Sequence, residues 1–223
     1  MKAAILTAAL CGPLSSPAIA AGGAHVVDDV DVETPGRCHV ETWVTEDQGH
    51  GLADLSPACT PAALQSVEIG AVLIHSWDGQ SITTAGPAVK VNLRSTQKGI
   101  GLAASFGATW NLRSGRLDTA SVTVPITFTV SSKTRFNLNL GYSYSATSKD
   151  RHSPFWGGQI ETQLGTDLSA MVEGFGRETG PAGAQAGLRW NPGHGDLDVD
   201  LLVGRYVDGS SPRSATLGVT IRG

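Results

Sequence analysis

Residues 100–112 read Ile-Gly-Leu-Ala-Ala-Ser-Phe-Gly-Ala-Thr-Trp-Asn-Leu, a strict alternation of larger apolar residues with small or polar ones. Successive side chains of a strand point to opposite faces, so Ile100, Leu102, Ala104, Phe106, Ala108, Trp110 and Leu112 share one face. Gly101, Ala103, Ser105, Gly107, Thr109 and Asn111 take the other. Soluble strands mostly run to about 5–6 residues, whereas a tilted strand needs about 9–11 to cross a bilayer. The pattern returns at Phe136, Leu138, Leu140, Tyr142 and Tyr144, alternating with Arg135, Asn137, Asn139, Gly141 and Ser143. Long strands with one apolar face and one polar or small face fit a membrane-spanning antiparallel β-barrel, in which only the outer face meets lipid.

The N-terminus agrees with an envelope location. Met1-Lys2 gives a short positive start, residues 3–10 form an apolar run, and Ala18-Ile19-Ala20 offers a small-x-small cleavage site. Residues 1–20 therefore read as a signal peptide, with Cys11 an incidental residue inside it. No later segment supplies the about 20 apolar residues of a membrane helix. The net charge of −4, without basic clusters, argues against nucleic acid as a partner.

Residues 21–37 carry Asp28, Asp29, Asp31 and Glu33 and then Pro35-Gly36, and read as a flexible acidic periplasmic segment. The barrel is assigned to residues 38–223. Cys38 and Cys59 flank two runs joined by a polar tip at residues 46–51; antiparallel pairing places them opposite each other. In an oxidising compartment this predicts a disulfide. Counting onward by alternation and turn residues gives further strands at 67–76, 86–94, 99–112, 116–130, 134–147, 155–164, 167–177, 182–190, 196–203 and 215–222. With the first hairpin the total is twelve, or ten if that hairpin lies outside the barrel. Even parity leaves both chain ends on the periplasmic side. Residues 131–133, 165–166 and 191–195 are then periplasmic turns, and 147–154 and 207–212 outward loops. Pro125 predicts a bulge or local weakness. Trp110, Tyr144, Phe155, Trp156 and Tyr206 fall near strand ends, as an aromatic belt would.

On the runs Val122-Thr-Val-Pro-Ile-Thr, Arg135-Phe-Asn-Leu-Asn-Leu-Gly-Tyr and Ala215-Thr-Leu-Gly-Val-Thr-Ile-Arg222, the chain resembles the bacterial outer-membrane β-barrel superfamily. The resemblance is to its small members described as transporters, and more loosely to the barrel proteins linked with the meta-pathway of phenol degradation. It implies a pore or transporter for a small solute, with outer-membrane lipid and the barrel-assembly machinery as partners. Such barrels typically end in an aromatic residue that the machinery reads, whereas this chain ends Ile221-Arg222-Gly223.

The chemistry lies in charges on the non-apolar faces: Lys90, Arg94, Arg135, Glu161, Glu173, Arg189, Asp198, Asp200 and Arg222. A Lys or Arg facing lipid at mid-depth costs about 2–4 kcal/mol, so these residues are expected to line the lumen and set selectivity. With both signs present they can pair across the lumen and plug it, or leave a field that orients solutes. Asp196, Asp198 and Asp200 start like a calcium loop, but Leu201 and Val207 stand where Gly and Glu are needed. An acidic strip with a weak cation preference is the remaining reading. His25, Asp28, Asp29 and Asp31 lack metal-ligand spacing and read as solvated, so neither metal nor cofactor is implied. A lipid-active barrel enzyme needs an activated nucleophile. The chain has no Gly-x-Ser-x-Gly elbow, and His152-Ser153 are sequence neighbours in a loop, which seldom make the required geometry. A structural or adhesion barrel with a plugged lumen is the other alternative.

Overall fold

The computed structural model describes residues 24–148, 150–178, 182–206 and 213–223. Twelve antiparallel strands close into a barrel: β1 (Cys38–Asp47), β2 (His50–Cys59), β3 (Val67–Asp78), β4 (Gln80–Arg94), β5 (Gly101–Asn111), β6 (Leu117–Thr129), β7 (Thr134–Ser145), β8 (His152–Gln163), β9 (Leu168–Arg177), β10 (Gly183–Trp190), β11 (Leu197–Tyr206) and β12 (Ser214–Arg222). Each strand pairs with its sequence neighbours, and β1 meets β12 from His39↔Arg222 to Glu46↔Ala215, leaving no free edge. The first hairpin is thus part of the barrel, which settles the strand number at twelve and not ten. Among the described residues the only helical turns are single 3-10 turns at Thr96–Lys98 and Pro192–His194.

Alternation becomes two surfaces as expected. Phe106, Ile160, Val172, Leu201, Val203 and Leu217 are exposed on the outside. Thr109, Thr123, Thr127, Asn137, Asn139 and Asp200 are buried inside. An apolar outer surface running around the whole barrel exceeds anything a soluble monomer leaves in water. Inverted in this way, the fold has its polar residues at the centre and its apolar residues outside.

Cys38 and Cys59 face each other in the β1–β2 register and form a disulfide that closes a sequence separation of 21. The β1–β2 tip is the two-residue turn Gln48-Gly49, with φ of 47° and 91°. Positive φ at both positions matches the hairpin turn whose twist suits the flanking strands, and glycine adopts it without a Cβ clash.

Three local expectations are revised. Pro125 gives the local weakness and not the bulge: the β6–β7 register runs unbroken through Pro125↔Asn139, while the β5–β6 ladder lacks pairs between Leu102↔Ile126 and Ser105↔Thr123. Proline has no N–H to give on that side. The β5–β6 irregularity falls instead at Thr109/Trp110. Phe155 is buried on the inner face and does not join the belt, whereas Trp110 and Trp156 are exposed outside. The loop before β8 is shorter than 147–154, because β8 already begins at His152. Residues 207–212, the Tyr206 side chain, Cys11 and the cleavage site fall outside the described residues.

Candidate functional site

The largest departure from the sequence reading concerns residues 24–37. They do not form a loose periplasmic tail. They run inside the barrel from the mouth that holds the chain ends to mid-depth, and Val27 and Val30 are buried to 2% and 0% exposure. At the mouth, Gly36 N donates to Thr60 O (2.7 Å), Thr60 N donates to Arg37 O (3.1 Å), and Arg37 pairs with Asp196 at 2.7 Å. That carboxylate holds the Arg37 guanidinium above its ordinary pKa.

Deeper in, wall side chains stand in for a strand partner. Glu33 N donates to Glu68 Oε2 at 2.8 Å. Val30 N donates to Thr127 Oγ1, and Asn92 Nδ2 donates to Val30 O. Asp28 and Asn139 exchange two bonds, Asp28 N to Asn139 Oδ1 (2.8 Å) and Asn139 Nδ2 to Asp28 O (2.7 Å). Val26 N and Val27 N both donate to the Glu173 carboxylate, at 3.1 and 3.0 Å. A buried N–H without an acceptor is costly, so these contacts let an irregular chain lie inside the barrel. The wall leaves room for it at glycine positions. A Cβ on Gly101 would sit 2.6 Å from Val30 Cγ2, one on Gly157 2.7 Å from Val27 Cγ2, and one on Gly218 2.9 Å from Ala24 Cβ.

Lys90 is 3% exposed and holds Asp28 at 2.8 Å and Asp29 at 3.4 Å. Arg135 holds Asp29 (3.0 Å), Asp31 (3.2 Å) and Glu161 (2.7 Å). Arg222 holds Glu33 at 3.4 Å and Asp198 at 2.6 Å. Arg189 makes a two-pronged contact with Asp200, at 2.8 and 3.0 Å, and His25 Nε2 lies 3.5 Å from the same carboxylate. Glu173 also accepts from Gln159 and Gln185. Eight of the nine candidates thus face one lumen. Arg94 does not: the register slips between Asn92 and Arg94, and its exposed guanidinium bonds to Lys98 O at 2.6 Å.

Three of these bases are therefore shared between wall acids and segment acids, or stand beside both. The wall charges pair with neighbours along the wall and not across the lumen; the inserted segment is what fills the bore. The acidic strip is not free either, since Asp198 and Asp200 are taken up by Arg222 and Arg189, and Asp196 by Arg37. A polar cavity of about 280 Å³ remains beside the segment, lined among others by His39, Glu41, Glu68 and Arg189. Sequence reasoning missed His39, Glu41, Asp54 and Glu68 as lumen residues. Their signal was present: His39 and Glu41 alternate with Val40, and Glu68 sits between Val67 and Ile69. The pair His152-Ser153 is separated by the strand itself. Ser153 is buried on the inner face, whereas His152 is exposed outside against Tyr144, with ring centroids 5.1 Å apart.

The fold is that of outer-membrane channels. The KdgM porin superposes with a TM-score of 0.67 at 10% identity, over 82% of this chain and 98% of that one. The NanC porin gives 0.60 at 9% identity over 82% and 98%. The COG4313 outer membrane channel from Pseudomonas putida F1 gives 0.65 at 9% identity over 87% and 98%. No curated protein matches the chain in sequence. The model of one family matches residues 9–223, nearly the whole sequence, and the chain belongs to that family, the uncharacterised conserved protein UCP029691.

Proposed function

We propose that the protein is an outer-membrane channel for small solutes, exported through a cleaved signal peptide, whose bore is closed by its own residues 24–37. The observation that carries this reading is how the segment is seated. From Val26 to Glu33 it contributes no strand to the barrel and is held through side chains of the inner wall. The twelve strands close without it. Side-chain contacts of this kind can be exchanged for water one by one, so the segment can leave without breaking the ladder. The porin-like neighbours support the same reading at the level of fold.

The alternative of a permanently filled structural barrel draws on the buried Val27 and Val30. One experiment separates the two. Gly157 and Val27 touch closely enough for Val27→Cys/Gly157→Cys to form a disulfide. In planar bilayers the oxidised full chain should be silent and the reduced one should show discrete conductance steps, with the parent protein in reductant as control for Cys38–Cys59. Conductance unchanged by the tether, or silence from folded barrels in both states, refutes the gated channel. Serine labelling by an activated phosphonate addresses the enzyme reading, and no labelling is expected.

A further inference from the structure

We propose that the open lumen selects cations, and that Glu41, Asp54 and Glu173 are the residues that select them. The inference rests on the channel reading above and adds its solute class.

The wall balances most of its own charge. Arg135 and Glu161 are register partners on β7 and β8 and pair at 2.7 Å. Arg189 and Asp200 are register partners on β10 and β11. Arg222 has Asp198. Lys90 stands directly opposite Glu68 in the β3–β4 register, so it has a wall acid to turn to when Asp28 and Asp29 withdraw. Farther toward the opposite mouth, Asp47 and Arg177 both face inward and are opposite in sign. What remains is Glu41, Asp54 and Glu173, three carboxylates that no wall Lys or Arg pairs with among the described residues.

Their present surroundings support this. Glu173 takes two of its hydrogen bonds from Val26 N and Val27 N, which leave with the segment. Glu41 lines the cavity beside His39, Lys90 and Arg189, whose ion pairs go to other acids. Asp54 is 2% exposed; Oδ1 accepts from Ser56 Oγ at 2.6 Å, while Oδ2 is buried with no hydrogen-bond partner among the described residues. A buried carboxylate oxygen without a donor calls for an explanation, and a visiting cation supplies one. Trp43 is the register partner of Asp54 and faces inward, and Glu41 lies two residues from it on the same face of β1. A solute passing here meets two carboxylates and an indole ring, a combination that suits alkali and organic ammonium ions. Low-dielectric walls focus the field of such groups along a bore.

The test is the reversal potential of the full chain in a potassium chloride gradient. That quantity reads the selectivity of the open state whatever the open fraction, and Gly157→Ala is included to raise that fraction. The chain should prefer K+ over Cl−, and Glu41→Gln/Asp54→Asn/Glu173→Gln should lower the permeability ratio by about threefold or more. Arg94→Gln, whose exposed guanidinium lies outside the lumen, should leave the ratio unchanged. An anion preference, or a ratio that the triple substitution leaves alone, overturns the inference while the channel stands. Silence from folded barrels overturns the channel reading, and the inference with it.

Discussion

Glycine at positions 101 and 157 allows the inserted chain to lie against the wall, because any Cβ there would overlap a valine of the segment. Overpacking by one methyl group costs about 1–3 kcal/mol when the neighbours cannot move. Here one neighbour can move, since the segment can swing out into water. Gly101→Ala and Gly157→Ala should therefore loosen residues 24–37 and leave the barrel intact. The measurement is limited proteolysis of the N-terminus set against the heat-modifiable gel mobility of the barrel. Gly158→Ala is the control, because its Cβ would face outward, 3.7 Å from Phe136. Lys90→Met obeys the same logic. Removing the cation from a buried pair typically costs about 3–5 kcal/mol through the charge left behind. Asp28 and Asp29 escape that cost by leaving, so the loss should appear as faster cleavage at the N-terminus with an unchanged barrel melting temperature. A falling barrel melting temperature would mean that the segment is part of the folded core.

Among the elements, strands were legible in the sequence and the inserted segment was not, for a physical reason. A strand in a barrel records its surroundings in its own alternation: Arg135, Asn137 and Asn139 face in because Phe136, Leu138 and Leu140 face lipid. The segment has no period. Its partners are scattered along the chain, with Lys90 lying 62 residues from Asp28 and Glu173 lying 147 from Val26. Composition alone makes Asp28, Asp29, Asp31 and Glu33 look like a solvated tail, since their counter-charges Lys90, Arg135 and Arg222 belong to three different strands far along the chain. Arg94 failed in the opposite way, because parity was carried across a slip that the sequence does not announce. The Cys38–Cys59 pair was legible, as antiparallel register and compartment together implied it. It joins β1 to β2 where the chain leaves the lumen. In the chain-entropy model a loop of this length is worth about 3 kcal/mol. Cys38→Ser/Cys59→Ser should lower the barrel melting temperature, read by the heat-modifiable shift, and should leave strand content unchanged by circular dichroism.

At the scale of the whole molecule, the even strand number puts Cys38 and Arg222, the ends of the barrel, at one mouth. The connections at residues 60–66, 95–100, 130–133, 164–167 and 191–196 lie at that mouth, and those at 48–49, 79 and 112–116 at the other. The inserted segment enters from the first mouth, where Arg37 meets Asp196. If bacterial barrels keep both ends in the periplasm, the bore is closed from the inner side. This orientation makes a labelling prediction that depends on neither conductance nor selectivity. Ser114 lies on an exposed turn of the mouth away from the chain ends, and Lys133 on an exposed turn beside them. The native cysteines Cys38 and Cys59 are joined, so neither competes for a thiol reagent. In intact cells, Ser114→Cys should react with a membrane-impermeant maleimide and Lys133→Cys should not; after the outer membrane is permeabilised, both should react. The reverse pattern would place the segment on the outer side, where it would act as a plug facing the medium.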